Sequence, residues 1–142
     1  MSDPLVLERW IAAPVAVVYS YLTESVKWSR WQGETATIEP RRGGIFALTM
    51  PSGVRARGQF TELVPNERVV FTWGWVDHPG LPPGSTTVEI DLVYDGEGTL
   101  LRLTHHGLPT DESATHEAGW NHYLNRLAVV AGGADPGPDP GP

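Results

Sequence analysis

Histidine and tryptophan are the residues of this chain with the most chemistry to offer. His105 follows Leu101 and Leu103 at a spacing of two, so a strand there turns all three to one face. An inward imidazole is a general acid/base near neutral pH, or a hydrogen-bond partner for a ligand. His105 is therefore the candidate catalytic residue. The plainer reading, a core histidine satisfied by hydrogen bonds, is favoured, because buried polar groups are normally paired. His116 and Trp120 stand four apart on one helical stripe, with Tyr123 and Leu124 a turn further along. A stripe of this kind is usually core. His106 and His122 fall on other faces and are expected in solvent.

These imidazoles do not make a metal site. No pair has the spacing and shared face of a His-x-x-x-His motif, and no acidic pair stands beside them. The chain has no cysteine, which removes disulfides, thiolate nucleophiles and thiolate-bound metals together. There is no Gly-x-Ser-x-Gly elbow. Arg41-Arg42-Gly43-Gly44 lacks the lysine and the strand–loop–helix setting of a phosphate loop, and reads as a hairpin turn. Glu89 and Asp91 alternate out of the Val88–Ile90–Leu92 face and read as surface charges. No cofactor is expected.

Six tryptophans in 142 residues are many for one core. Each indole N–H wants a partner when buried, so a cluster suggests an aromatic core, a ligand wall or both. Phe71, Trp73 and Trp75 share a strand face by the period-2 rule, and short helices can bring Trp28 opposite them. Lys plus Arg is 10 against 17 Asp plus Glu, a formal charge of −7. That balance disfavours nucleic acid and anionic membranes as partners. No apolar run reaches a membrane-spanning length. Met1-Ser2-Asp3-Pro4 lacks the basic and apolar regions of a signal peptide, so the cytoplasm is the default setting.

The elements that must position these groups follow one order. Leu5 to Ile11 reads as a first strand. Pro14 opens a short helix to Thr23, and a second covers Ser25 to Arg30. Short strands then alternate with turns: Thr35 to Pro40, Ile45 to Met50, Val54 to Leu63, Arg68 to Val76, Thr86 to Asp95 and Thr99 to His106. Val88, Ile90, Leu92 and Tyr94 are expected on one face. A long helix from about Asp111 to Val130 closes the domain, with Thr110 as its N-cap. This is an α+β architecture with an antiparallel sheet. Residues 1–133 form one domain. Residues 134–142, almost wholly Asp, Gly and Pro, read as a disordered tail without chemistry.

The order resembles the helix-grip fold, in which a curved antiparallel sheet wraps a long C-terminal helix. Ile11-Ala12-Ala13-Pro14 with Val17-Val18 resembles the opening motif of the START-like, or Bet v-like, superfamily (SRPBCC). Arg42-Gly43-Gly44-Ile45-Phe46, Gly58-Gln59-Phe60, the run from Val64 to Trp73, Leu103-Thr104-His105 and Gly119-Trp120 are similar to one branch. That branch is the activator-of-heat-shock-ATPase-like (AHSA-like) family. The resemblance spans about Leu5 to Val130. It implies a central hydrophobic cavity between sheet and helix, and a hydrophobic or aromatic small molecule as partner. The expected wall is Trp28, Phe46, Phe60, Phe71, Trp73, Trp75, Leu92, Leu103, Trp120 and Leu124, with His105, His116 and Tyr123 as polar anchors. Two other roles stay open: a cyclase or dehydratase using His105 as acid/base, and a module that stimulates a chaperone ATPase. An edge strand free to pair between chains leaves a homodimer open as well.

Overall fold

A computed structural model describes residues 3–142. The leader reading at Met1 and Ser2 thus falls partly outside the described residues. Among these residues, seven strands form one antiparallel sheet in the order β1-β7-β6-β5-β4-β3-β2. The strands are β1 (Leu5–Ile11), β2 (Thr35–Ile38), β3 (Ile45–Thr49), β4 (Arg55–Val64), β5 (Arg68–Trp73), β6 (Thr86–Asp95) and β7 (Gly98–His106). Two short helices, α1 (Val15–Tyr21) and α2 (Ser25–Trp28), join β1 to β2 across the sheet, and α3 (Ser113–Ala131) lies over its concave face. The architecture is the α+β helix-grip fold.

Curvature comes from β4. Its pairing with β5 slips between Phe60 and Glu62, and a bulge of this kind bends and twists a strand. Gly58 permits the closest approach: a Cβ there would overlap the Thr72 carbonyl of β5. Trp10 to Ala13 then turns the chain off β1, and Thr99 Oγ1 donates to the Ala13 carbonyl at 2.7 Å to hold that corner. Arg9 Nη2 on β1 reaches Asn121 Oδ1 of α3 at 2.8 Å, tying the helix to the edge of the sheet.

Several boundaries differ from the sequence reading. β5 ends at Trp73 instead of running to Val76, because Gly74 packs flush against the Pro82 carbonyl and leaves no room for a regular ladder. Trp75 is held by an isolated bridge to Ala56. Pro14 is the N-cap of α1, with extended backbone, and lies outside the helix. A 3₁₀ turn at Thr110–Glu112 precedes α3, so the N-cap is Glu112 and not Thr110; it makes no side-chain cap bond. Tyr94 does not share the buried face of Val88, Ile90 and Leu92: it is 73% exposed, at the end of the β6–β7 hairpin. Glu89 and Asp91 do lie on the outer side, where both meet Arg68, at 3.2 and 2.6 Å.

No helix among the described residues is long and apolar enough to cross a membrane. The Asp-Gly-Pro tail, read from composition as disordered, is placed against α3. Arg126 donates to the carbonyls of Pro136, Gly137 and Pro138. His122 meets Asp139 at 2.7 Å instead of facing open solvent.

Candidate functional site

The deep space between sheet and helix is full. Phe46 and Phe71 stack with ring centroids 4.2 Å apart, and Trp28 meets both edge-on at 5.1 and 5.7 Å. Phe60 closes on the same pair. Leu92, Leu103 and Leu124 are buried in the same core. Edge-to-face and offset rings are the arrangements aromatic quadrupoles favour, and they pack this interior closely. Trp28, Phe46, Phe60, Phe71, Leu92, Leu103 and Leu124 therefore do not form the cavity wall that the sequence reading assigned them. The physical reason is size: the indoles of Trp28 and Trp31 and the three phenyl rings pack against one another and fill the deep concavity themselves.

A cavity of about 390 Å³ remains at one mouth of the grip. Its floor is Trp73, Trp75 and Trp120. One side is the α3 row Thr115, Gly119 and Tyr123, with His116 beside it. The other side is the β3–β4 turn, from Met50 to Val54. Asp139 to Pro142 of the tail complete the rim. Of the wall residues expected from sequence, Trp73, Trp75, His116, Trp120 and Tyr123 are brought together here. Met50, Gly119 and Asp139 were missed. Gly119 carried a readable signal, a helix-weakening glycine in the middle of an amphipathic stripe. The tail gave none, since its placement depends on Arg126 and His122 across space.

Two Trp–His pairs build the floor. Trp120 Nε1–H donates to His105 Nδ1 at 3.0 Å, which leaves the His105 proton on Nε2. That Nε2 donates to Thr86 Oγ1 at 2.9 Å, and the Thr86 hydroxyl in turn donates to the Trp73 carbonyl at 2.9 Å. Trp75 Nε1–H donates to His116 Nε2 at 3.1 Å. The His116 Nδ1–H then donates to the Glu112 carbonyl one turn back, at 2.9 Å. Both rings thus serve as neutral acceptors for an indole. The two imidazoles meet edge-to-face at 5.5 Å.

Electrostatics agree with both rings being neutral. Burial pushes His105 down to about 3, and the neighbouring His116 and His106 push the same way. Burial also lowers His116, against the opposing pull of the Glu112 carbonyl and carboxylate. His105 is fully buried with both ring nitrogens engaged. It has no free lone pair for acid–base work and no path to solvent. His106, as expected, is on the outer face, 3.3 Å from Glu89 without hydrogen-bonding geometry.

Two buried atoms near the cavity lack a partner of hydrogen-bonding geometry, Trp73 Nε1 and Asp139 Oδ2. Five of the six indole N–H groups have acceptors. Trp73 Nε1–H is the exception, buried and without a partner among the described residues. Burial raises the Tyr123 hydroxyl, and nearby Asp139 raises it further. Burial also pushes Asp139 upward, but hydrogen bonds from His122 and from the Gly141 N–H, together with Tyr123, outweigh it and hold the carboxyl low. Tyr123 is near enough to feel that charge, yet Asp139 Oδ2 has no partner of hydrogen-bonding geometry. Among the described residues, no cluster of His, Cys, Asp or Glu is arranged to hold a metal.

Residues 12–132 match the family model described as Activator of Hsp90 ATPase homolog 1-like protein. The Activator of 90 kDa heat shock protein ATPase homolog 1 of Homo sapiens is 28% identical over 88 residues, which are 62% of this chain and 25% of that protein. The chain thus spans about a quarter of the length of that relative. An AHSA1-like protein from Rhizobium etli, solved by solution NMR, is 48% identical with a TM-score of 0.74, covering 99% of this chain and 89% of that one. The Aha1 dimer from Colwellia psychrerythraea has the same fold at a TM-score of 0.81 and 19% identity, covering 94% of this chain and 100% of that one. On its sequence match and its architecture together, the chain belongs to the Activator of Hsp90 ATPase homolog 1-like family.

Proposed function

We propose that this protein binds a small, flat apolar or aromatic molecule in the cavity at the mouth of the grip. The observation that carries the reading is the floor of Trp73, Trp75 and Trp120. Two of its three indoles are locked in place by histidines, while the third keeps a buried N–H unused. A buried donor left unpaired costs free energy unless something accepts from it. The rings supply the apolar area a flat ligand would cover. The volume lies at the small end of the usual range of about 300–1,000 Å³ for small-molecule pockets. A cysteine-free chain of this composition supports a cytoplasmic setting.

The enzymatic alternative loses its proposed base. A cyclase or dehydratase working through His105 needs that ring reachable from solvent, and here it is sealed behind Trp120. Stimulation of a chaperone ATPase draws on the name of the human relative, and no feature of the cavity speaks for it.

Gly119 supplies the sharpest test. A Cβ there meets no atom within 4 Å and Gly119 lines the cavity, so Gly119→Leu extends into it without removing a contact. Intrinsic tryptophan fluorescence, titrated with planar aromatic ketones and medium-chain fatty acids, should show saturable quenching by at least one class. Gly119→Leu should abolish it while the thermal midpoint does not fall. Trp73→Phe and Trp75→Phe should weaken it. No response from the native chain, or an undiminished response in Gly119→Leu, would remove this reading.

A further inference from the structure

We propose that Gln32 selects among ligands: its side-chain amide donates to a neutral acceptor oxygen, a ketone, amide or lactone carbonyl, on a molecule held in the cavity. The inference rests on the cavity being a binding site and specifies which group that site reads.

Gln32 follows α2 and is held at two points by one tryptophan. Its backbone N–H donates to the Trp28 carbonyl at 3.1 Å, and Trp28 Nε1–H donates to its side-chain Oε1 at 3.1 Å. An indole nitrogen can only donate, so the atom that faces it is the amide oxygen. That bond fixes the orientation of the amide and leaves Nε2, a donor, directed elsewhere. Nε2 has no partner among the described residues. Trp73 Nε1 is sealed by its neighbours; Gln32 Nε2 is not.

The residue is only 4% exposed, and it lines the cavity. Its chain neighbours Ser29, Arg30, Gly33 and Glu34 line a separate outer groove, and Gln32 does not. The little surface it keeps therefore opens inward. A confined donor of this kind bonds to water when it can, and a ligand that displaces the water either replaces the bond or forfeits it. The forfeit is what makes such a group selective.

The remainder of the lining decides which acceptors fit. It contains no lysine or arginine, and its imidazole, His116, is neutral and already bonded to Trp75 and to the Glu112 carbonyl. A carboxylate entering here would leave water with no cation to meet it, which is costly. A carbonyl brings the acceptor without the charge. Met50, Trp73 and Trp120 supply apolar wall for the body that carries it.

The test uses three ligands of similar size on the full chain: indanone, its carbonyl-free isostere methyleneindane, and indane carboxylate. Kd is read from tryptophan fluorescence, and the Gln32 side-chain amide signals from proton–nitrogen correlation spectra. Indanone should bind roughly fivefold more tightly than methyleneindane, and indane carboxylate more weakly than either. Gln32→Met, which keeps the length of the side chain and removes the amide, should bring the two neutral ligands to equal affinity. A merely structural role would weaken both alike and keep their ratio, so a preference that survives Gln32→Met would overturn the role of Gln32. That change also takes the acceptor from Trp28, so the native chain supplies a second reading: its Gln32 amide signals should shift further with indanone than with methyleneindane. Equal shifts, or equal or tighter binding of methyleneindane, would overturn the acceptor assignment and leave the binding site standing. Binding of medium-chain fatty acids in place of all three would do the same. No response to the three or to the fatty acids would overturn both readings.

Discussion

His105 shows how a residue chosen for chemistry can be spent on structure. Its ring is held at about 3, against 6.5 in an unconstrained chain. Between those values the unfolded chain binds a proton that the folded chain refuses. The contribution of the neutral ring to stability is therefore complete above about pH 6.5 and is lost as pH falls towards about 3. One full proton of difference gives a slope of ~1.4 kcal/mol per pH unit. Urea-unfolding free energies measured from about pH 7 down to about pH 5 should fall more steeply for the native chain than for His105→Gln. Parallel lines would show that His105 is not a proton-excluding core group. The inward orientation of His105 was legible, because strand parity is a strict rule. Its partners were not, since Thr86 and Trp120 come from distant strand and helix positions that sequence spacing does not join.

Among the elements, β4 does the most to shape the site, since its bend carries the β3–β4 turn over to α3. Gly58 allows that bend by letting β4 lie against the Thr72 carbonyl. Gly58→Ala should destabilise the fold by about 1–3 kcal/mol, as a methyl group forced into a packed interior does. Chemical denaturation would read it, and a shift within error would mean that the strand can relax. The strands of the sheet were legible from alternation and turn residues, as in Val88–Ile90–Leu92 and Gly96-Glu97. Helix α3 was legible from its stripe. Tyr94 and Trp75 were misread for the same reason: period alone does not say where a ladder stops or where the core beneath it ends.

For the whole molecule, a filled core and a small open mouth are one outcome of the same composition. The aromatic run that marks the fold also occupies most of the hollow the fold would otherwise hold. Sequence could show that the rings face inward, but not whether they leave space, because that depends on ring angles such as the 24° stack of Phe46 on Phe71. The tail completes the mouth without belonging to the core. Removing the residues after Ala134 should move the thermal midpoint by less than about 4 °C. The same truncation should expose His122. A larger loss, read by scanning calorimetry, would show that the tail helps to hold α3 in place.

Asp139 sits on a segment that lies outside the sheet and the helices. The groups that set the floor are fixed by packing, and almost any change there disturbs the domain. The rim from Asp139 to Pro142 belongs to the tail that Arg126 and His122 hold in place. The floor of the cavity and part of its rim thus come from separate parts of the chain. A different tail grafted after Gly133 would retune what the same scaffold recognises, in the laboratory or over the history of a gene, and the domain would hardly register the exchange.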